Sequence, residues 1–192
     1  HKEYRRQRQM CIRDRDDVSR SDRVRTIVNA WAAQGFCSHV SIISSCDYIL
    51  KLGARSEPVR SERRSLASGL YRLENAPSIF LRKICSGFLG CTQAFTKDLF
   101  SYYGNLDKQI QHEDIAIESR AILSGGIIFI NEPLVSYRVN EMGFNRSSIH
   151  TRVIVYQYSK IRNLYQYLMD RMRSKKRGLH YCKKLLVLDV FM

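Results

Sequence analysis

The sequence of 192 residues lacks any apolar run close to the roughly 20 consecutive residues that a membrane-spanning helix needs. It also lacks a basic start followed by an apolar core, which is the pattern of a cleavable signal peptide. No C-x-x-C pair is present, which argues against a zinc site, and the scattered cysteines give no disulfide framework: Cys11, Cys37, Cys46, Cys85, Cys91 and Cys182. We therefore expect a cytosolic protein whose thiols are reduced and mostly buried.

Acidic residues are outnumbered by basic ones, and the formal net charge is +14. Such an excess requires an acidic partner, but charge alone does not distinguish nucleic acid, anionic lipid and a phosphorylated substrate. Nucleic acid is the least favoured of these partners because no known DNA- or RNA-binding motif is present. With 44% hydrophobic residues, the chain can bury one sizeable core, and its length favours a single domain.

The basic residues are densest between Arg152 and Lys184, where Asp170 is the single acid. Tyrosine and leucine side chains are interleaved with them, a pattern typical of a helix that lies on an anionic membrane surface. The same pattern is typical of a solvated helix whose apolar stripe packs against its own domain. Both interpretations stay open at this point.

The chain divides into three regions by composition. Residues 1–15 carry charge without apolar periodicity and are expected to be disordered or artefactual, since Met10–Arg15 resembles translated sequencing-adaptor sequence. Residues 16–148 alternate helical and strand patterns, which indicates an α/β domain. Residues 149–192 form a basic region that is predicted to be helical.

Local patterns predict most elements of the α/β region. We predict a helix that begins at Ser21 or Asp22 and ends before Gly35, and one strand or two over residues 37–50. A short helix over 65–74, a glycine-marked strand over 88–95 and a helix over 96–103 that ends at Gly104 are also predicted.

The segment that follows places two adjacent carboxylates, Glu113 and Asp114, at the start of a predicted helix that ends at Gly125–Gly126. Negative charge is favoured there by the free backbone N–H groups and the helix dipole. Adjacent helix positions point about 100° apart, so only one of the two carboxylates can cap the helix efficiently. The other carboxylate requires a different explanation.

The same helix is predicted to have an apolar side and a polar side, the latter carrying Glu118 and Arg120. Beyond the glycines we predict a strand over residues 127–130, a turn over 131–133 and a second strand over 134–138.

A second acidic cluster, Asp14-Arg15-Asp16-Asp17, lies just before the first predicted helix. Carboxylates in a loop are good ligands for Mg²⁺ or Mn²⁺, which complete their coordination with water and substrate phosphates. Taken alone, such a cluster is more often a solvated acidic turn.

The order of these motifs resembles that of family 2 glycosyltransferases with the GT-A fold, over about residues 16–148. The resemblance is carried by D-x-D-D, a helix, a strand, "GFLGCTQAF", a further helix, "HED" and then "INEPLVSYR". It implies a partial GT-A (Rossmann-like) α/β domain with a helical C-terminal extension. Family members have a βαβαβ nucleotide-binding half before the D-x-D cluster, so we expect this chain to be the acceptor-side part and to be inactive alone.

The resemblance also implies roles for the two acidic clusters. Asp114 would be the general base, and Glu113 would cap or hold its helix while Asp114 faces the cleft. Asp16, with Asp14 in the first position of the motif, would bind a divalent cation, Mg²⁺ or Mn²⁺, that holds the diphosphate of a nucleotide-sugar donor.

Three further residues are candidates for donor or acceptor binding. Gly90 and Cys91 are small enough to let the backbone approach a sugar, although a tight strand crossing explains them equally well. Arg138 is the last residue of the last predicted strand, in the position of a basic residue in the family. The implied function is inverting transfer of a sugar to a saccharide or lipid-linked acceptor during cell-surface glycan synthesis, at most peripherally on the inner face of the plasma membrane.

The alternative is a basic α/β module without catalytic activity that binds nucleic acid or an anionic membrane. Such a module would leave Asp114 at a solvated helix cap rather than in a cleft.

Overall fold

The computed structural model describes residues 17–52, 55–59, 66–77, 88–110, 112–139, 163 and 165–173. The fold is mixed α/β, with the described strands in one six-stranded sheet. The strands are β1 (Val18–Ser19), β2 (Val40–Leu52), β3 (Arg55–Val59), β4 (Gly69–Tyr71), β5 (Gln93–Phe95) and β6 (Gly126–Val139).

Two long parallel strands, β2 and β6, form the centre of the sheet. The outer edge of β6 pairs with the short antiparallel strands β4 and β1, and the outer edge of β2 pairs with β5 and β3. The register between β2 and β6 shifts around Ser45, whose hydroxyl lies 3.3 Å from the side-chain oxygen of Asn131. Short strands therefore cover both edges of the long central pair.

Helices cover both faces of the sheet. They are α1 (Arg23–Ala32), α2 (Asp98–Tyr103), α3 (Glu113–Leu123) and α4, for which residues 163 and 165–173 are helical. Ile27 and Trp31 of α1 pack with Ile128 on one face, whereas Phe129 packs with α2, α3 and α4 on the other. Successive residues of β6 thus point to opposite faces, as the pleat requires.

The predicted helices over residues 21–34 and 96–103 are confirmed as α1 and α2, and the strand over 37–50 is confirmed as β2. Gly35 and Gly104 follow the two helices with φ of +68° and +80°, a conformation that glycine adopts without steric cost. The helix that begins at Glu113 is confirmed as α3. Of the glycine-marked strand over 88–95, only Gln93–Phe95 is a strand, β5, and Gly90–Thr92 forms a 3₁₀ turn.

Three other expectations are wrong. Within the predicted helix over residues 65–74, Gly69–Tyr71 is strand β4, which is held by pairing with β6. The predicted turn over 131–133 does not reverse the chain, because β6 continues through it beside β2. Glu118 and Arg120, assigned to a polar side of α3, are both fully buried.

Helix α4 is fixed to the domain by a buried ion pair between Arg120 of α3 and Asp170. The Nε atom of Arg120 donates to Asp170 Oδ2 at 2.8 Å, and Nη2 donates to Oδ1 at 3.2 Å. Arg120 also donates to the Gly104 carbonyl at 2.8 Å and lies over the rings of Phe100 and Tyr103. Both members of the pair therefore have partners that offset the cost of burying their charge.

Candidate active site

The first turn of α3 brings Asp114 into the interior. The helix begins after His112, whose side chain makes no capping hydrogen bond, and both acidic residues lie in the first turn. The carboxylate of Asp114 accepts a hydrogen bond of 2.9 Å from the backbone N–H of Ile115. Asp114 is half-buried, so its carboxylate is only partly available to water.

The 3₁₀ turn Gly90–Thr92 lies directly against this carboxylate. A Cβ atom added to Gly90 would lie 3.5 Å from both Cβ and Oδ2 of Asp114. The backbone N–H of Gly90 is close enough to the Asp114 carboxylate to favour its charged form. The absence of a side chain at Gly90 therefore leaves space for a methyl group at ordinary contact distance from the carboxylate.

Burial raises the pKa of Asp114 above its usual value, because the charged form loses hydration. The N–H groups of Ile115 and Gly90 and the nearby His112 oppose this rise without cancelling it. A carboxylate with a raised pKa is a stronger base than an exposed one.

Asp17, the last residue of the acidic cluster at residues 14–17, lies next to the same turn. Asp17 is 6% exposed, and its carboxylate lies close enough to the Cys91 thiol to affect the pKa of that thiol. Burial, followed by the charge of Asp17, raises the pKa of Cys91 far above its usual value, so this thiol stays protonated. Cys91 packs with Cys46 and Val135 in a small cluster beneath the turn.

Arg23, in the first turn of α1, links the same elements. Its guanidinium donates to the Cys91 carbonyl at 2.7 Å and to the Ser19 hydroxyl at 3.1 Å. A basic group is thereby held next to the turn that carries Gly90.

Glu118 lies one turn after Asp114 on α3 and is fully buried. Its carboxylate oxygens lie 3.2 Å and 3.4 Å from the backbone nitrogen of Phe88, which donates to them. Phe88 begins the segment that leads into the 3₁₀ turn. Glu118 therefore fixes the position of Gly90 relative to Asp114 from within the same helix.

Neither protein-family profiles, nor characterised proteins, nor solved structures match this chain.

The predicted site residues differ in how far the structure describes them. Asp114, Gly90 and Cys91 are brought together, and Glu113 is half-buried beside Asp114. Arg138 lies on β6 with its backbone opposite Ile49, and its side chain is outside the described part of the chain.

The predicted metal ligands Asp14 and Asp16 also lie outside the described residues. Within the ranges that are described, no group of three or more His, Cys, Asp or Glu side chains is arranged to hold a metal ion. The divalent cation therefore stays a prediction that depends on Asp14 and Asp16.

Sequence reasoning missed the roles of Asp17, Arg23 and Glu118. For Glu118 a signal was present, because it lies four residues after Asp114 and next to Ile117 in sequence, within the apolar part of the helix. For Asp17 the signal was its place in the acidic cluster. Nothing local in the sequence marks Arg23 as a partner of the distant Cys91.

Proposed function

We propose that this chain is the acceptor-side part of an inverting family 2 glycosyltransferase with a partial GT-A fold, and that Asp114 is its general base. The observation that supports this most directly is the convergence of two distant acidic segments on one turn. Asp17 contacts Cys91, and Asp114 contacts Gly90, the preceding residue. A glycosyltransferase needs its donor-binding and proton-accepting groups on either side of one reacting carbon.

The environment of Asp114 supports the enzyme over the non-catalytic module. A module that used this residue only as a helix cap would leave the carboxylate solvated. Instead, Asp114 is half-buried, its pKa is raised by burial, and the residue facing it has no side chain. This combination is typical of catalytic carboxylates.

In the proposed reaction, Asp114 accepts the proton of an acceptor hydroxyl while that oxygen bonds to the anomeric carbon of the donor sugar. The bond from this carbon to the nucleoside diphosphate breaks, and its electron pair leaves with the diphosphate. Because attack and departure take place on opposite faces, the anomeric configuration inverts. A divalent cation bound by Asp14 and Asp16 would supply positive charge to stabilise the leaving group.

Other groups of the chain would position the reactants. A sugar would approach Asp114 at Gly90, which has no side chain, and Cys91 would help to hold that turn through its contact with Asp17. Arg23 and Arg138 would add positive charge for a donor diphosphate.

The test uses the full-length gene product with a panel of UDP- and GDP-sugars and with saccharide and polyprenyl-linked acceptors. Release of nucleoside diphosphate is measured for the wild type, Asp114→Asn and Glu113→Gln. Asp114→Asn preserves size and removes the proton acceptor, so transfer should fall by about 10² to 10⁴ while donor affinity is nearly unchanged. Glu113→Gln should lose less, since its carboxylate acts through the helix.

Undiminished transfer by Asp114→Asn would exclude it as the base. Retention of the anomeric configuration in the product, determined by NMR, would exclude the single displacement.

A further inference from the structure

The segment from Phe88 to Gly90 lies against two carboxylates of one helix. Asp114 and Glu118 are four residues apart on α3, so their side chains leave the helix on the same side, one turn apart. The backbone N–H of Phe88 donates to the Glu118 carboxylate at 3.2 Å and 3.4 Å, and a Cβ atom at Gly90 would lie 3.5 Å from Oδ2 of Asp114. One end of the segment is therefore bound by Glu118, and the other end faces Asp114.

The 3₁₀ turn that follows this segment is held by other groups. Thr92 donates to the Leu89 carbonyl from its backbone nitrogen at 2.9 Å and from its hydroxyl at 2.8 Å, which closes the turn. Arg23 of α1 donates to the Cys91 carbonyl at 2.7 Å. These contacts hold the turn together and attach it to α1, whereas the contact with Glu118 attaches it to α3, the helix that carries Asp114.

Complete burial is unusual for a glutamate, and Glu118 is 0% exposed. The Phe88 that it holds is 1% exposed, and its ring packs 6.0 Å from that of Phe129. Burying a carboxylate costs free energy that an apolar side chain would not cost. The neighbouring Ile117 and Ala121 show that this part of α3 packs into an apolar core. A carboxylate at position 118 therefore points to a role for its acceptor oxygens.

We infer that Glu118 is a positioning residue for Asp114: its carboxylate holds the segment from Phe88 to Gly90 against the Asp114 carboxylate and limits the access of water to it. Loss of hydration is the largest influence on the pKa of Asp114, which it raises. A segment that is held less firmly would admit water, and this pKa would fall toward its ordinary value. The inference rests on the proposed function only in its purpose, because a base shielded from water would act on an acceptor hydroxyl instead.

Two substitutions separate the holding of the segment from the charge of Glu118. Glu118→Gln keeps an acceptor oxygen at the same reach and removes the charge. Glu118→Asp keeps the charge but shortens the side chain by one methylene group, which draws the acceptor away from the N–H of Phe88. We expect Glu118→Asp and Glu118→Ala to lower the pKa of Asp114, and Glu118→Gln to leave it close to that of the wild type.

The measurement is an NMR pH titration of the 192-residue chain, labelled with ¹³C at the side-chain carboxyl carbon of aspartate. Comparison with Asp114→Asn assigns the signal of Asp114. Among the described residues, the titratable neighbours of Asp114 are His112 and Glu113 on its own chain segment and Cys91 on the turn. Every variant keeps these three groups, so a change in the midpoint of Asp114 reports on position 118.

The matched control is Ile128→Val, which removes one buried methyl group from the face of the sheet that packs on α1. It should lower the free energy of unfolding and leave the pKa of Asp114 unchanged, because α3 lies on the other face. Circular dichroism checks that each variant is folded. If Glu118→Ala does not fold, the comparison of Glu118→Asp with Glu118→Gln decides.

Each of three results would overturn the inference: an unchanged pKa of Asp114 in Glu118→Asp, an equal fall in Glu118→Gln, or an equal fall in the Ile128→Val control. None of these measurements involves glycosyl transfer. Loss of the inference would therefore leave the test of Asp114 as the base standing. Conversely, undiminished transfer by Asp114→Asn would leave the comparison of pKa values intact.

Discussion

The buried ion pair between Arg120 and Asp170 permits a quantitative test of how α4 is held on the domain. Asp170→Asn keeps the size of the side chain and leaves the guanidinium of Arg120 buried without a counter-charge. Removing one member of a buried pair typically costs about 3–5 kcal/mol, whereas the whole free energy of unfolding of a domain is about 5–15 kcal/mol. One substitution should therefore remove a large part of the stability.

The remaining contacts of Arg120 place the expected cost at the lower end of this range. Its guanidinium keeps the Gly104 carbonyl at 2.8 Å, and the rings of Phe100 and Tyr103 lie 5.6 Å and 5.4 Å from it. We expect Asp170→Asn to lower the free energy of unfolding by about 3 kcal/mol, which is a decrease of about 6–12 °C in Tm for a domain of this size.

Urea denaturation followed by circular dichroism measures this loss. The double variant Arg120→Met/Asp170→Leu buries no charge. Its loss of free energy of unfolding should therefore be smaller, by up to about 3 kcal/mol, than the sum of the losses of Arg120→Met and Asp170→Leu. Asp22→Asn is the control, because it removes a carboxylate from the exposed ion pair with Arg20 and should change the midpoint little. A loss below about 1 kcal/mol for Asp170→Asn, or additive single losses, would refute the reasoning.

Three further predictions concern the candidate active site. The pKa of Asp114 is higher in the folded than in the unfolded state, so ionisation of Asp114 destabilises the folded protein as the pH rises from the unfolded pKa through the folded one. The stability of Asp114→Asn relative to the wild type should therefore increase between acidic and neutral pH. A difference in urea midpoints that stays the same over this range would contradict the prediction. Gly90→Ala should reduce glycosyl transfer at nearly unchanged Tm, because the added methyl group lies at ordinary contact distances from Asp114. Gly125→Ala should instead lower the Tm, because its Cβ would lie 2.1 Å from the Ser38 carbonyl oxygen. Glu118→Ala should lower the free energy of unfolding by at least about 1–3 kcal/mol, because the buried N–H of Phe88 loses the Glu118 carboxylate as its acceptor. Glu118→Gln keeps an acceptor oxygen, so it should lower the free energy of unfolding by less in the same urea denaturation assay.

The helices were predictable because their signals are local. The start of α3 follows from adjacent acidic residues before an apolar repeat, and the ends of α1 and α2 follow from Gly35 and Gly104. Asp114 could be singled out in the same way, since two neighbouring carboxylates cannot both cap one helix.

The errors arose where distant partners decide the structure. Asn131 and Pro133 have the chemistry of a turn, but pairing with β2 keeps β6 extended through them. The sequence pattern predicts a solvent-exposed Arg120, because its buried partner, Asp170, lies 50 residues away and leaves no local signal. The link from Asp17 to Cys91 has the same origin, so the convergence of the two acidic segments could be expected from the family resemblance but not worked out from periodicity.

The parallel pairing of β2 with β6 has a consequence for how the chain folds. Ser45 and Asn131, which meet where the register shifts, are 86 residues apart, so the centre of the sheet closes a very long loop. Proteins dominated by such distant contacts fold slowly, since the entropy of closure is lost before the contacts form. During synthesis, β6 leaves the ribosome long after β2. Until β6 pairs with it, the backbone edge of β2 is unpaired and can pair with other chains, which favours aggregation. The candidate active site can form only after that step, because β1, which follows Asp17 in the sequence, pairs with β6.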